Sequence, residues 1–171
     1  KYYMGMQPLS INLMEDTLNR YFENNNIFID WVNADILHNA SIDGMFKSLF
    51  DALDRSTVIM VAPKSKHAII EYFNYDYFIE VSEKNCWNDV DRIIMELGSS
   101  IKKVNDSDDI PVILFCASMA SNYIIDLFHH VYSKRVIMID AGSIFDPYVG
   151  NNIRTYHKNL KFNVNDFKKG R

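Results

Sequence analysis

Apolar positions follow two rhythms along this chain. Short runs with no polar interruption, "TVIMVA" at 57–62, "PVILFCA" at 111–117 and "RVIMID" at 135–140, read as strands buried on both faces. "YDYFIEVS" at 75–82 reads as another strand, and "NIFIDWVNADI" at 26–36 as a short apolar run with a polar end. Between them lie stretches with helical spacing. "SINLMEDTLNRYFEN" at 10–24 brings Ile11, Met14, Leu18, Tyr21 and Phe22 together, with Ser10 as its expected cap. "GMFKSLFDALDR" puts Met45, Phe46, Leu49, Phe50 and Leu53 on one face. "KSKHAIIEYF" reads as a short helix and "NCWNDVDRIIMELGSSIKK" as a longer one, with Trp87, Val90, Ile94 and Leu97 on its apolar side. "SMASNYIIDLFHHVY" reads as a further helix.

Doubly apolar strands alternating with helices predict an α/β fold, a Rossmann-like parallel sheet with helices on both faces. The chain divides into an N-terminal helical segment (1–30), the Rossmann-like domain (31–154) and a C-terminal tail (155–171) expected to be partly ordered. In such sheets ligands bind beyond the carboxyl ends of the strands, where the strand order reverses. The candidate positions are therefore Asn33–Asp35, Ala62–Lys64, Ser82–Asn85, Ala117–Ser118 and Asp140–Ser143.

Composition narrows the function. The chain has 171 residues, 48% apolar and 23% charged, with net charge -4, as in an ordinary globular domain. A pI near 5.7 argues against a nucleic-acid partner. The apolar runs are too short to span a bilayer. No secretory signal is visible, so a cytoplasmic location is expected. The chain begins at Lys1, so neighbouring domains in a longer protein are also expected. Cys86 and Cys116 stand far apart and read as buried free thiols.

Several residues carry candidate chemistry. Lys64 directly follows a strand and can reach a phosphate, or can simply be a solvated helix start. Ser118 opens a helix whose free N–H groups suit an anion, or it is a plain cap. Asn85 can cap a helix or hydrogen-bond a base or sugar. Trp87 can stack on a flat ring or sit in the core. Asp35 and His38, three apart, can form an acid/base pair or part of a metal site, or be a surface acid beside a half-buried histidine. Asp140 ends an apolar strand just before Gly142 and Ser143, and its carboxylate can take a divalent ion or a ribose or sugar hydroxyl. Arg154 can clamp a diphosphate, with His157 beside it. GxGxxG and GxxxxGK[ST] are both absent.

"VAPK", "FIEVSEKNCWNDVDRI", "VILFCASMASNYIIDLF" and "IDAGSIFDPY", in this order, resemble the GT-D glycosyltransferase domains from about Trp31 to Tyr148. That family has a strand ending in Gly-Pro-Lys, a "V-P-x-K-N-x-x-x-x-x-D-R-I" segment, a strand ending in Gly-Pro before a helix, and a strand ending in "D-x-G". The resemblance implies transfer of a sugar from a nucleotide-sugar donor, with a uridine diphosphate sugar expected, to a glycan or small-molecule acceptor. Mg²⁺ or Mn²⁺ often assists. Carried over, Lys64, Asn85 and the Ser118 helix start face the donor, and Asp140 with Gly142 lines the same site. Asp35 and His38 are the expected catalytic pair, and Asp35 and Asp140 the expected metal ligands. The family's "Asp-Gly-Glu" has its nearest counterpart in "NADILHNAS", which keeps Asp35 but has no Glu two residues later. The competing reading is a non-catalytic nucleotide- or sugar-binding module of the same fold.

Overall fold

The computed structural model describes residues 3–6, 8–26, 30–105, 109–132, 135–151, 157–158 and 160–169; side chains of the first 15 residues, of residues 30–32 and of residue 105 are not considered. The chain forms two compact units, Lys1–Ala40 and Ser41–Arg171.

The first unit holds β1 (Tyr3–Met6), α1 (Pro8–Asn24) and β2 (Asp30–Asn33). β1 and β2 pair in parallel, with Tyr3 opposite Asp30 and Met6 opposite Asn33. The expected break at residue 30 therefore falls inside a strand, and the division comes ten residues later. α1 begins at Pro8, whose missing N–H costs nothing in the first turn. Ser10 thus lies within the helix and does not cap it. α2 (Ile36–Ile42) follows β2.

The second unit is built on four parallel strands, β3 (Val58–Pro63), β4 (Tyr77–Val81), β5 (Val112–Phe115) and β6 (Ile137–Asp140), in the order β4-β3-β5-β6. β3 is central, and Val58 to Ala62 are all buried. This is why its sequence shows no alternation. α4 (Val90–Asn105) joins β4 to β5, and α5 (Met119–Tyr132) joins β5 to β6. A 3-10 segment, Lys64–Glu71, joins β3 to β4. The step from β3 to β4 runs one way across the sheet and the later steps run the other way. Right-handed crossovers then put α4 and α5 on one face and Lys64–Glu71 on the opposite face.

The two faces have different cores. On the first, Ile59, Val61, Ile79, Val81, Ile113 and Phe115 pack against Val90, Ile93, Leu97 and Ile101 of α4 and Ala120, Ile124 and Phe128 of α5. Trp87 is not part of this core. It lies in a 3-10 turn (Cys86–Asp89) ahead of α4 and is exposed, while Ile93, not Ile94, is fully buried. The second face depends on rings. Phe46 and Phe50 of α3 (Phe46–Leu53) meet Tyr148, stacked at 5.7 Å and edge-on at 5.0 Å, and Phe50 also stacks on Phe73 at 5.7 Å.

Within the tail, expected to be partly ordered, one part is a packed strap. Phe162 and Phe167 sit edge to face at 4.8 Å, and both meet Tyr148. The Lys169 N–H donates to the Glu71 carbonyl at 2.8 Å. Gly44 has a left-handed φ of +73°, and a Cβ there would meet the Phe162 ring at 3.1 Å. Burial of the Tyr148 hydroxyl pushes its pKa up to about 12.

Phe50→Ala removes a ring that is 2% exposed and touches five others of this cluster, so the expected loss is about 3–5 kcal/mol in urea unfolding. Met95→Ala, at an exposed position, is expected to stay within about 0.5 kcal/mol of the parent.

Candidate functional site

Parallel pairing puts every strand end of the second unit on one edge. Pro63 lies opposite Val81, Val61 opposite Phe115, and Phe115 opposite Asp140. Four of the five expected strand-end positions are thereby brought together: Ala62–Lys64, Ser82–Asn85, Ala117–Ser118 and Asp140–Ser143. The chain turns to opposite faces after β3 and after β5, so the crevice between these neighbouring strands is the switch point at which such sheets bind ligands.

Backbone strain gathers on the same edge. Asn85 and Ser118, at the ends of β4 and β5, have left-handed φ of +57° and +52°. Such a backbone is uncommon outside glycine, and strained residues concentrate at ligand sites. Asn85 precedes the Cys86–Asp89 turn but makes no side-chain cap, contrary to one of its expected roles. The Cys86 S–H donates to the Ala117 carbonyl at 2.8 Å and ties the two ends together. Asp89 accepts the Ser82 N–H at 2.9 Å, and hydrogen bonding from the Ser82 hydroxyl, together with this N–H, holds its carboxyl below the usual range. Arg92 donates to the Glu80 carbonyl at 2.6 Å and pairs with Glu96 at 2.9 Å, so the "DRI" of the motif anchors α4 to β4.

Asp140 closes β6. Its Oδ1 accepts the Gly142 N–H at 3.2 Å, and the same N–H reaches the Phe115 carbonyl at 3.1 Å. Gly142 has φ +51°, the conformation this turn requires and glycine tolerates best. Asp140 as a residue is exposed, yet desolvation of its carboxyl raises its pKa; the Gly142 N–H and the Ser121 hydroxyl act the other way. Ser121 is fully buried and also accepts the Ala117 N–H at 3.2 Å. Ser143 lies in the turn after Gly142, and its carbonyl accepts the Asp146 N–H at 3.0 Å.

The edge also carries residues that sequence reasoning passed over. Lys64 is exposed, but Lys66, two residues on, is buried and pairs with buried Asp146. A 3-10 turn has three residues, so Lys66, Ile69 and Tyr72 share the inner side and Lys64, His67 and Ile70 the outer. Reading this stretch as an α-helix hid that distinction. The pair joins the segment after β3 to the segment after β6. Cys116 lies just beyond β5, and burial pushes its thiol up to about 12, with the nearby Lys66 charge acting against this. Both cysteines are buried and free, as expected.

Asp35 and His38 belong to the first unit, where Oδ1 and Nδ1 are 3.9 Å apart and both side chains are half-buried. His157 is buried. Arg154 lies outside the described residues. Among the described residues, no three His, Cys, Asp or Glu side chains gather as ligands for a metal ion, and no helix is long and apolar enough to cross a membrane. No protein-family model, curated protein or solved structure matches the chain.

Two outcomes test this geometry. Asp146→Ala leaves a buried ammonium without its carboxylate, and about 3–5 kcal/mol should be lost in denaturant unfolding, largely recovered by Lys66→Met with Asp146→Leu. Asp140 has a folded-state pKa above its unfolded value, so folding binds the extra proton and stability falls as pH rises through that window. Asp140→Asn is therefore expected to melt above the parent at neutral pH, and the difference should close below about pH 4.

Proposed function

We propose that the second unit binds a nucleotide sugar, with a uridine diphosphate sugar as the first choice, at the β3/β5 switch point, and that the chain is a glycosyltransferase. The observation that carries this reading is the strand order β4-β3-β5-β6, because it gathers the four GT-D-like segments on one edge. Exposed Lys64 and the backbone N–H groups at the start of α5 suit the departing diphosphate. Asn85, Asp140 and Ser143 offer amide, carboxylate and hydroxyl partners for the sugar hydroxyls.

A divalent ion fits such a site in one way. Mg²⁺ is commonly held by one or two carboxylates, with substrate phosphates and waters completing its shell. Asp140 supplies one carboxylate at this edge. The ion, when bound, would neutralise charge on the diphosphate. A non-catalytic binding module of the same fold would bind nucleotide equally well and transfer nothing.

The test is thermal melting of the chain with uridine diphosphate and its sugars, with and without Mn²⁺. A nucleotide at a hundred times its dissociation constant should stabilise the fold by about 2.7 kcal/mol. Lys64→Ala should reduce the shift while leaving the unliganded melting point in place. If no nucleotide stabilises the protein, the donor site is not there. If nucleotide binds but no sugar reaches any acceptor, the binding module is the right reading.

A further inference from the structure

β4 is an outer strand of the four-stranded sheet, so one side of it meets no other strand of that sheet. Which of its backbone groups point that way follows from the alternation of a parallel ladder. The Val112 N–H donates to the Thr57 carbonyl at 2.9 Å and the Cys116 N–H to the Val61 carbonyl at 2.8 Å, so the odd-numbered residues of β3 face β5. Met60 and Ala62 therefore face β4. Met60 is level with Phe78, so its bonds go to Tyr77 and Ile79, and Phe78 and Glu80 turn their backbone groups outward. Arg92 already holds the Glu80 carbonyl at 2.6 Å. Among the described residues of β4, Phe78 is left with both its N–H and its C=O open to a further strand.

A cleft of about 300 Å³ lies against this edge. Phe78 and Ile79 of β4 line it from one side, and Met95, Glu96, Ser99 and Lys103 of α4 from the other. All four α4 residues are exposed, Met95 to 67%. Glu96 and Lys103 are seven residues apart, two turns and about 10 Å along one helix face. The small Ser99 stands between them. Read in the opposite direction, this rim has its charges exchanged. A second α4 running antiparallel past the first, with Ser99 near the crossing, brings Glu96 of each helix to Lys103 of the other. Arg92, the other charge on this rim, is held by the Glu80 carbonyl and by Glu96 at 2.9 Å.

We infer that the β4 edge is the interface of a homodimer, in which β4 pairs antiparallel with β4 of a second copy about a twofold axis at Phe78. The axis places each Phe78 opposite its own copy, which gives two equivalent N–H to C=O bonds and makes one sheet continuous across both copies. The two Phe78 rings meet on one face of that sheet, each with His67 stacked on it at 3.7 Å. The two α4 helices meet on the other face, where the cleft has Phe78 level with Ser99. This register sets Glu80 across from Asp76 of the other copy, but Asp76 turns its carboxylate back to accept the Val58 N–H at 2.8 Å. A strand from a different protein could use the Phe78 groups, yet it has no use for a rim whose charges complement themselves. The interface runs along the side of β4, whatever ligand the carboxyl ends of the strands take.

The experiment is sedimentation velocity on the whole chain over a range of concentrations, with Glu96→Lys, Lys103→Glu and an equal mixture of the two. Both positions are exposed, and each variant is checked for an unchanged melting point at low concentration. The parent is expected to pass from monomer to dimer as concentration rises. Symmetry repeats each charge contact, so either variant alone should weaken the dimer about tenfold. The mixture should regain the parent's affinity, because the changed charges then face one another across the axis. In the parent, exchange of the Phe78 amide, read by NMR, should slow as the dimer forms. A parent that stays monomeric at every concentration overturns the inference and leaves the edge to a strand of another protein or to none. It is also overturned by a dimer that the variants do not weaken, that the mixture does not restore, or that leaves Phe78 exchange unchanged, since such a dimer uses another surface, such as the β6 edge.

Discussion

The single hand of the β-strand crossover is the constraint from which the second unit follows. A right-twisted strand returns to a parallel neighbour in one way only. With β3 in the middle, β4 on one side and β5 and β6 on the other, that rule sends the chain to opposite faces after β3 and after β5. The crevice between them is a consequence of topology and requires no special residue. The same rule explains the two unlike cores. α4 and α5 cover one face with aliphatic side chains, and the other face, reached by a 3-10 segment, is filled by aromatic rings of α3 and the turns after β6.

The buried Lys66–Asp146 pair is the costliest feature of this arrangement. Charges taken out of water gain little stability even when well paired, and a hydrophobic pair of the same volume would commonly serve as well. What the pair does supply is direction. It joins the segment after β3 to the segment after β6, across the end of β5, and Asp140, Gly142 and Ser143 lie on the loop that it anchors. The strained turns at Asn85 and Ser118 act at the same edge. Three departures from the cheapest way to build a sheet therefore coincide at the carboxyl ends of its strands, where ligands bind in folds of this kind.

Much of this was legible in the sequence because the signals were periodic. Uninterrupted runs gave β3 and β5, since strands buried on both faces need apolar residues at every position. β6 also came from an apolar run, but it is the edge strand and its residues are exposed or half-buried, contrary to the reading of 135–140 as buried on both faces. The 3.6-residue spacing gave α3, α4 and α5. Four of the five expected strand ends also came together, because parallel strands share one direction. Errors arose where a short-range rule was overridden. Trp87 fits the apolar spacing of α4, but the chain enters that helix through a 3-10 turn, which rotates the ring outward. Lys66 was passed over because three-residue and 3.6-residue helices bury different positions of "KSKHAI". The segment 160–169 reads as part of a polar tail because its two phenylalanines are isolated in sequence and meet each other and Tyr148 through the fold.

The sequence by itself determined the class of fold and the edge on which chemistry can occur, because apolar periodicity and crossover handedness are local or universal. Tertiary structure decided which side chains share that edge and in what state. It buried Lys66 and exposed Lys64, raised the pKa of Asp140 by desolvation, and set Trp87 against Tyr123 from segments 36 residues apart. Burial, desolvation and ring contact depend on what the rest of the chain brings near, and no window of sequence contains that information.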